Sequence, residues 1–359
     1  MKLRKRFIAG GFIALLLLLL LTPTGCYLSR AAWEEGKILA RRQPIAELVA
    51  APGTDSLVRR KLSLVLAARQ YAEDSIRLKT EESFTTYSRL DRDTLVLVLS
   101  AAYRDRLEPY TWWFPIVGRV PYKGYFDFGE AEKAAKSFLD RGFDVSLRPS
   151  AAFSTLGWFN DPLTSTTLAR DTLELVNTVI HEVTHNTFYA PGQAVFNESF
   201  ASFVGARGAA AFFRSRGQEP AALRVEAEWA DDKVLGDFWT ELANRLDSAY
   251  AAHPEDREWR IAVRDTIYAA ARKTLVSEVG PALKTISPFY VQRVPLDNAS
   301  LLARRVYAKD LDLFDQVYVR EGRNLRRAIA RIITLARSNR DDPYLALRSW
   351  LSRATPGKS

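Results

Sequence analysis

Two histidines four residues apart, with a glutamate beside the first, constrain this chain more than any other feature. The segment reads His181-Glu182-Val183-Thr184-His185. In a helix, side chains four residues apart lie on one face, so both imidazoles can meet a single metal ion. This is the zinc-binding H-E-x-x-H pattern, in which the glutamate lies near enough to take a proton from a water molecule at the metal. The pattern predicts a zinc-binding helix with His181 and His185 as ligands and Glu182 as general base.

The flanking residues favour a helix and supply a third ligand. Asp171 and Glu174 predict a capping box, and apolar residues recur at helical spacing as a core stripe: Leu173, Val176, Ile180 and Val183. A catalytic zinc usually has three protein ligands and one open position. A turn is predicted at 189–192, followed by a second helix from about Gln193 that carries Glu198 as the third ligand. Small residues on this helix would let the two helices approach closely: Ala201, Gly205 and Ala209.

A neutral histidine pair buried in the core, without a metal, is the alternative interpretation. The chain has only three histidines and two lie in the motif, so a chance occurrence is on the order of one in a thousand. A core pair would also leave the Asn197-Glu198 sequence unexplained. We therefore predict one Zn²⁺ per chain. His253, beside Pro254 in a predicted turn, is not expected to be a ligand because the three-residue site is already complete.

The sequence NESFAS at 197–202 resembles the third-ligand helix of the gluzincin metallopeptidases, particularly the aminopeptidases. Twelve residues separate His185 from Glu198, several fewer than in the best-known gluzincins, which requires a tight connection. A closer resemblance, from about residue 30 onward, is to a family of bacterial lipoproteins regarded as zinc aminopeptidases. It rests on the two metal-site segments and on three further motifs: WFPIVG at 113–118, YKGYF at 122–126 and STLGWFNDP at 154–162. The resemblance implies a zinc-dependent peptidase that acts on peptide substrates, an aminopeptidase in particular.

Residues 1–25 have the pattern of a lipoprotein signal peptide. A basic start is followed by an apolar run at 7–21, which is too short for a comfortable membrane span. Cys26 follows a small residue and is the only cysteine of the chain, an arrangement that resembles the bacterial lipobox. A simple cleavable signal or an uncleaved anchor is the alternative. We predict a lipid anchor on Cys26 and a location at the bacterial cell envelope, on its periplasmic or extracellular face.

The charge pattern gives no indication of a nucleic-acid partner. The signal peptide accounts for four of the nine net positive charges. The remaining charge is spread over predicted helices rather than collected in a basic stripe with stacking aromatics. A single cysteine also excludes an intrachain disulfide, so an exported chain of this kind depends on its hydrophobic core.

The rest of the chain predicts an α+β fold, mostly helical, with a small β-sheet next to a gluzincin-like pair of zinc-binding helices. We divide it into an N-terminal helical segment at 26–80 and a zinc metallopeptidase domain at 81–359. The second part contains the metal-site helices at 171–216 and a helical C-terminal part. Strands are predicted at 94–102, 112–120 and 144–147, and a helix at 129–141.

Two kinds of substrate contact are also predicted. An edge strand near the metal would pair with extended substrate, and Gly157, Trp158 and Asn160 are candidates to line it, although ordinary core packing explains Trp158 equally well. A phenol opposite the metal would stabilise the charge that develops on the scissile carbonyl. We nominate Tyr307, while a structural role is the alternative there and at two other tyrosines in this part of the chain, Tyr290 and Tyr318.

Within the class of peptidases, the sequence leaves the type of cleavage and the substrate open. An endopeptidase or a hydrolase of cell-wall peptides is an alternative to an aminopeptidase. A non-catalytic, metal-stabilised envelope scaffold is the alternative from another class. The glutamate between the histidines favours the enzyme, because a structural zinc site is normally closed by four ligands. Asp161 and Glu228 are the candidates to hold the free amine of an aminopeptidase substrate.

Overall fold

A computed structural model of the chain describes residues 22–114, 118–150 and 162–353. Within these ranges most residues are helical and the strands are short. The predicted signal peptide up to residue 21 lies outside the described residues. So do Gly157, Trp158 and Asn160, together with Asp161.

The N-terminal part is helical and packs into the main core. Its helices are α1 (Pro23–Ala40), α2 (Ile45–Ala50) and α3 (Ser56–Asp74). The breaks fall near Pro44 and between residues 51 and 55, where proline and glycine predict them. Asp55 caps α3 by accepting hydrogen bonds from the backbone N–H groups of Leu57 and Val58, at 2.9 and 3.0 Å. One face of α3 is buried in the same core cluster as the helix of the histidine motif: Leu62, Val65, Ala68 and Ala72.

The strands form two three-stranded sheets and a hairpin, rather than the single small sheet predicted. In chain order they are β1 (Gln43–Pro44), β2 (Thr86–Ser88), β3 (Val96–Ala102), β4 (Trp112–Phe114), β5 (Gly118–Val120), β6 (Lys123–Tyr125), β7 (Asp144–Ser150) and β8 (Leu163–Thr164). The first sheet has the order β1-β2-β8, with β2 parallel to β8. In the second sheet β3 lies between β6 and β7 and is antiparallel to both. The predicted strand at 112–120 is the hairpin of β4 and β5.

One helix covers the second sheet. Helix α4 (Phe128–Asp140) begins at Asp127, whose side chain accepts a hydrogen bond from the backbone N–H of Glu130 at 3.0 Å. Its buried face packs with β3 in a core cluster formed by Leu99, Ala101, Ala135 and Phe138. The sheet therefore has one face closed by a helix.

The second half of the described chain is helical, as predicted. After the single turn α5 (Ser165–Leu168), the helices are α6 (Thr172–Thr187), α7 (Ala194–Ser215), α8 (Glu219–Ala252), α9 (Arg257–Thr274), α10 (Gly280–Ala282), α11 (Pro288–Arg293), α12 (Asn298–Arg305), α13 (Leu311–Arg320), α14 (Leu325–Ser338) and α15 (Pro343–Ser352). A π-helical stretch, Leu275–Val279, joins α9 to α10. An apolar stripe of α14 is buried: Leu325, Ile329, Ile332 and Ala336. Within the described ranges, no helix combines the length and apolar character that a membrane crossing requires.

A buried asparagine joins the second sheet to the C-terminal helices. Asn298, the first residue of α12, is fully buried. Its backbone N–H donates to Asp144 Oδ2 at 2.9 Å, and its side chain donates to the carbonyl of Tyr103 at 2.7 Å. Arg264 of α9 pairs with the same Asp144 carboxylate. Because Asp144 begins β7, this network fixes the start of β7 against the start of α12.

Candidate metal centre

The histidine motif lies on α6, as predicted. Asp171 caps this helix by accepting hydrogen bonds from the backbone N–H groups of Leu173 and Glu174, at 2.8 and 3.0 Å. The predicted capping box is incomplete, because Glu174 pairs with Arg170 on the exposed face instead. The stripe residues are buried, apart from the half-buried Leu173, whereas both histidines are only half-buried. The core face and the histidine face of α6 are thus separate.

A short turn connects α6 to α7 and is held by a buried amide. Gly192 has a φ of 76°, a left-handed conformation that favours glycine. Asn197, 2% exposed, accepts a hydrogen bond from the N–H of Ala190 at 2.8 Å. Its side chain also donates to the carbonyl of Ala190 at 2.9 Å. Asn197 therefore fixes the turn immediately before Glu198, which gives the Asn197-Glu198 sequence a structural reason.

Gly205 sets how closely α6 and α7 approach. A Cβ atom at this position would collide with the side-chain oxygen of Asn177. It would also lie 3.1 Å from the carbonyl oxygen of Asn177 and 3.2 Å from the Cβ of His181. The absence of a side chain at residue 205 thus lets α7 contact α6 directly at the first histidine of the motif, in agreement with the predicted role of the small residues.

Three donor groups converge between these two helices. His181 Nε2 lies 3.3 Å from one carboxylate oxygen of Glu198, and His185 Nε2 lies 3.7 Å from the other. One ligand atom from each of the three residues lies within 4.8 Å of the other two. Two ligand atoms bound at about 2 Å to a tetrahedral zinc ion are about 3.3 Å apart. The two imidazoles and the carboxylate therefore fit one such ion by chemistry and by spacing.

The three groups shift one another's pKa values. Burial lowers the pKa of His181, but the hydrogen bond with Glu198 and the charges of Glu182 and Glu198 outweigh burial and leave this pKa raised. Burial and the neighbouring His181 lower the pKa of His185. Burial alone would raise the pKa of Glu198, but its contacts with the two imidazoles lower it. An ionised Glu198 and a neutral His185 are the protonation states that metal binding requires.

Two tyrosines interact electrostatically with this cluster and with an arginine, Arg148. Tyr307 is 42% exposed and Tyr122 is 46% exposed. Desolvation and the charge of Glu198 raise the pKa of both phenols, and Glu182 adds to this effect at Tyr307. The guanidinium of Arg148 lowers the pKa of both tyrosines through its charge, and that of Tyr307 also through a side-chain hydrogen bond. The charges of Glu198 and Glu182 thus act on Tyr307, the tyrosine nominated from the sequence, and its role stays a prediction.

Sequence reasoning missed Tyr122 and Arg148. Tyr122 belongs to the YKGYF motif, which was the available signal, but nothing in the sequence relates that motif to residue 198. Arg148 lies on β7, beyond the predicted end of that strand at 147. Tyr189, which raises the pKa of Tyr122, comes from the turn between α6 and α7.

The other candidates from the sequence lie in different surroundings. Tyr290 is exposed on α11, and Tyr318 packs against Phe203. Glu228 forms an ion pair with Arg224 on α8. At the end of α8, His253 packs against Trp259 with ring centroids 3.9 Å apart and the ring planes tilted by 44°. Cys26 is exposed on α1.

The donor set defines the class of site. Two helices present two imidazoles and a carboxylate to one point, as in a mononuclear metal site. A further glutamate, Glu182, follows the first of these histidines in the sequence.

Residues 26–344 match the model of a protein family described as "Putative aminopeptidase". The chain belongs to this family, whose description indicates a hydrolase of peptides. No curated protein and no solved structure matches the chain.

Proposed function

We propose that this protein is a zinc-dependent peptidase of the bacterial cell envelope, an aminopeptidase in particular, anchored to a membrane by a lipid on Cys26. The observation that carries the proposal is the convergence of His181, His185 and Glu198 on one point, with Glu182 next in sequence to the first histidine. Family membership supports the peptide as substrate. The lipid anchor and the location rest on the sequence pattern around Cys26.

His181, His185 and Glu198 would hold one zinc ion. A zinc ion bound there supplies Lewis acidity, which polarises the scissile carbonyl and lowers the pKa of the attacking water. Two imidazoles and a carboxylate suit zinc, although cobalt or manganese can occupy such a donor set.

Glu182 moves the proton. Its carboxylate is exposed, and its charge acts on both histidines and on Tyr307. It is therefore accessible to water on the side of the site that a peptide would approach. Glu182 accepts the proton of the attacking water and delivers it to the leaving amine, so that one residue serves as base and then as acid.

Tyr307 donates its phenolic hydrogen bond to the carbonyl oxygen, on which negative charge develops. The neutral form of the phenol is required for this, and the raised pKa of Tyr307 keeps it neutral at physiological pH. Tyr122, in the loop before β6, is affected by the charge of the same Glu198 and would be a second contact for the substrate.

A metal-stabilised scaffold without turnover would not require an exposed carboxylate beside the histidines. The donor set also has three protein ligands within the described residues, whereas a structural zinc site is normally closed by four. Both points favour an enzyme.

The decisive experiment separates ligand from base. We expect Glu198→Ala to bind zinc more weakly, because it removes a charged ligand. Glu182→Gln should retain near-stoichiometric zinc while turnover falls by about two to four orders of magnitude, the usual contribution of a positioned general base. Glu174→Gln is a matched control, because Glu174 lies on the same helix but pairs with Arg170 away from the site. Wild-type zinc affinity in Glu198→Ala, or wild-type turnover in Glu182→Gln, would contradict the proposal.

Cleavage of free and amino-acetylated peptides distinguishes the type of peptidase. An aminopeptidase releases single residues from peptides with a free amino terminus and spares acetylated ones. Internal cleavage of acetylated peptides would identify an endopeptidase instead, and cleavage of cell-wall peptides alone would identify a wall hydrolase.

A further inference from the structure

We propose that the exposed face of helix α1 lies on the surface of a phospholipid bilayer, so that this helix, together with the N-terminal attachment, holds the body of the protein against the membrane. The inference goes beyond the peptidase reaction. It rests on one part of the proposed function, attachment to a membrane at the start of α1, and it adds the protein surface that meets the lipid.

The opposite face of α1 fixes the helix to the rest of the molecule. Ala31 and Ile38 are buried in a cluster with three residues in and beside the second sheet: Leu95, Val96 and Phe126. Near the end of the helix, the Ser88 hydroxyl donates a buried hydrogen bond to the carbonyl of Ile38 at 2.7 Å. At its start, Tyr27 packs against Phe114 of β4 with ring centroids 5.5 Å apart. Because α1 is held at both ends, the side that it turns outward is the same along its length.

The outward face of α1 carries little charge. Trp33 is 69% exposed and Leu28 is 38% exposed. Between residues 26 and 40 the exposed residues are Cys26, Leu28, Ser29, Arg30, Ala32, Trp33, Gly36 and Ala40. None of them is acidic, and the single charged residue, Arg30, pairs with Asp127 and Glu130 at 3.4 Å.

This composition is unusual for a helix face in contact with water, which is normally charged or polar. The exposed face of α14 shows the ordinary pattern, because it includes four arginines: Arg326, Arg327, Arg331 and Arg337. The outward face of α1 therefore suits an apolar or interfacial partner better than it suits water.

The sequence that precedes α1 identifies the partner. The apolar run at 7–21 ends directly before residue 22, and α1 begins at Pro23. A lipid on Cys26 and an uncleaved apolar anchor would both place the bilayer surface at the start of α1. The face with little charge is thus continuous with the point at which the chain meets the membrane.

The geometry of the helix brings its outward face to the lipid headgroups. Trp33 follows Cys26 by seven residues, which is nearly two turns, or about 10 Å along the axis, and places both on nearly the same side. Tryptophan concentrates at the interface between membrane and water. A helix with one apolar face lies in the plane of this interface rather than across it. Since only Trp33 and Leu28 supply large apolar side chains, the face supplements an anchor and does not replace it.

The single cysteine permits a test that does not depend on lipidation in the cell. Cys26 is exposed. The chain that begins at Cys26 lacks only the first three residues of α1 among the described elements. It can be coupled through the Cys26 thiol to a maleimide lipid in vesicles of phosphatidylethanolamine and phosphatidylglycerol. This sample places the start of α1 at a bilayer of known composition.

Quenching of tryptophan emission by lipids brominated near the headgroup measures the approach of α1. We expect these lipids to quench emission of the coupled wild-type chain, and we expect Trp33→Phe to lose the quenched component. Phe289→Trp is a matched control, because Phe289 is 66% exposed on α11, which packs against the π-helical stretch. The added tryptophan should contribute emission that the brominated lipids leave unquenched.

A charge placed on the outward face gives an independent test. Ala32 is exposed next to Trp33, so Ala32→Glu should leave the fold intact and be repelled by the anionic vesicles. The quenching of Trp33 should therefore decrease, and the decrease should become smaller as ionic strength rises. Ala330→Glu is the control, because Ala330 is exposed on α14 and a charge there should leave the quenching unchanged.

Two results would overturn the proposal. If Trp33→Phe leaves the quenching unchanged, α1 stands away from the lipid. If the uncoupled chain sediments as a dimer that Ala32→Glu dissociates, a second copy covers this face in place of a bilayer.

The processing of Cys26→Ser in cells tests the anchor separately. Unaltered processing of that variant, together with quenching of Trp33 in the coupled chain, would refute lipidation and support the membrane face. Normal lipidation without quenching of Trp33 would refute only the membrane face. Neither measurement depends on peptidase activity.

Discussion

Replacement of Gly205 by alanine tests whether the close approach of α6 and α7 maintains the metal centre. The new methyl group would meet the side chain and the carbonyl oxygen of Asn177 and the Cβ of His181. Two of these three obstacles are backbone or Cβ atoms, at 3.1 and 3.2 Å, which cannot move unless α6 moves as well. We therefore expect the helices to separate slightly and His181 to shift relative to Glu198.

The magnitude follows from two opposing effects. Overpacking of a tight contact costs about 1–3 kcal/mol, and replacing glycine by alanine within a helix recovers about 0.8–1 kcal/mol. The net loss of unfolding free energy for Gly205→Ala should therefore be about 1–2 kcal/mol, because the rigid neighbours place it towards the upper end of the cost. Displacement of His181 should weaken zinc binding by about 10- to 100-fold, the range seen when the supports of a ligand are disturbed.

Gly208 provides a matched control on the same face of α7. A Cβ atom there would lie 2.9 Å from Cγ2 and 3.3 Å from Cδ1 of the fully buried Ile180, and 3.4 Å from Cδ1 of Ile76. Gly208→Ala should thus also lower the free energy of unfolding, but it should leave zinc affinity unaltered, because none of these contacts is with a metal-site residue. Urea unfolding in the presence of chelator measures the fold alone, and competition with a chromophoric chelator measures zinc affinity. If Gly205→Ala matches wild type in both assays, the packing at residue 205 does not hold the histidine in place.

Three further predictions concern other parts of the molecule. Asn197→Ala removes two buried hydrogen bonds and leaves the backbone N–H of Ala190 unpaired, while the carbonyl of Ala190 keeps its bond from the N–H of Gln193. Urea unfolding should therefore show a loss of about 1–3 kcal/mol, and a loss below about 0.5 kcal/mol would contradict the role given to this amide. Cys26→Ser should remain unprocessed and leave the detergent phase, and unchanged partitioning would refute lipidation. Burial alone would raise the pKa of Asp315, but the contacts with Arg207 and Lys233 have the larger effect and lower this pKa. The ionised Asp315 carboxylate therefore stabilises the fold above its ordinary pKa of 3.8, and this stabilisation is lost as the pH falls through the lowered pKa. Asp315→Asn should therefore unfold more easily than wild type at neutral pH, and the difference should shrink in acid.

The residues of the candidate metal centre that are close in sequence were predictable. His181 and His185 share a helix face by periodicity alone, and the capping Asp171 marks where that helix begins. Glu198 was predicted as the third ligand because a short turn leads the chain back past the histidines into α7. The small residues on α7 indicated a close contact between the two helices. All these features depend on spacing within a few helical turns, which sequence reports directly.

The residues that come from distant segments were not predictable. Arg148 acts on the pKa of Tyr307 from a strand far away in sequence, and no local pattern records such an interaction. Strands β1 and β8 have two residues each, too few for a periodic signal, so the first sheet was missed and a single sheet was predicted. Residues 112–120 contain Gly118 with a φ of 78°, and this positive value accompanies the reversal into a hairpin.

The helix pair α6 and α7 also has a consequence for the order in which the chain acquires its structure. Its contacts join residues that are near in sequence, so the entropy lost on closing the intervening turn is small and the pair can form early. Arg148 and Tyr307 depend on contacts of much longer range, which form late. If the proposed metal ion binds, the chain would then meet it first through a local hairpin of helices, and metal binding would stabilise this pair before the segments distant in sequence assemble.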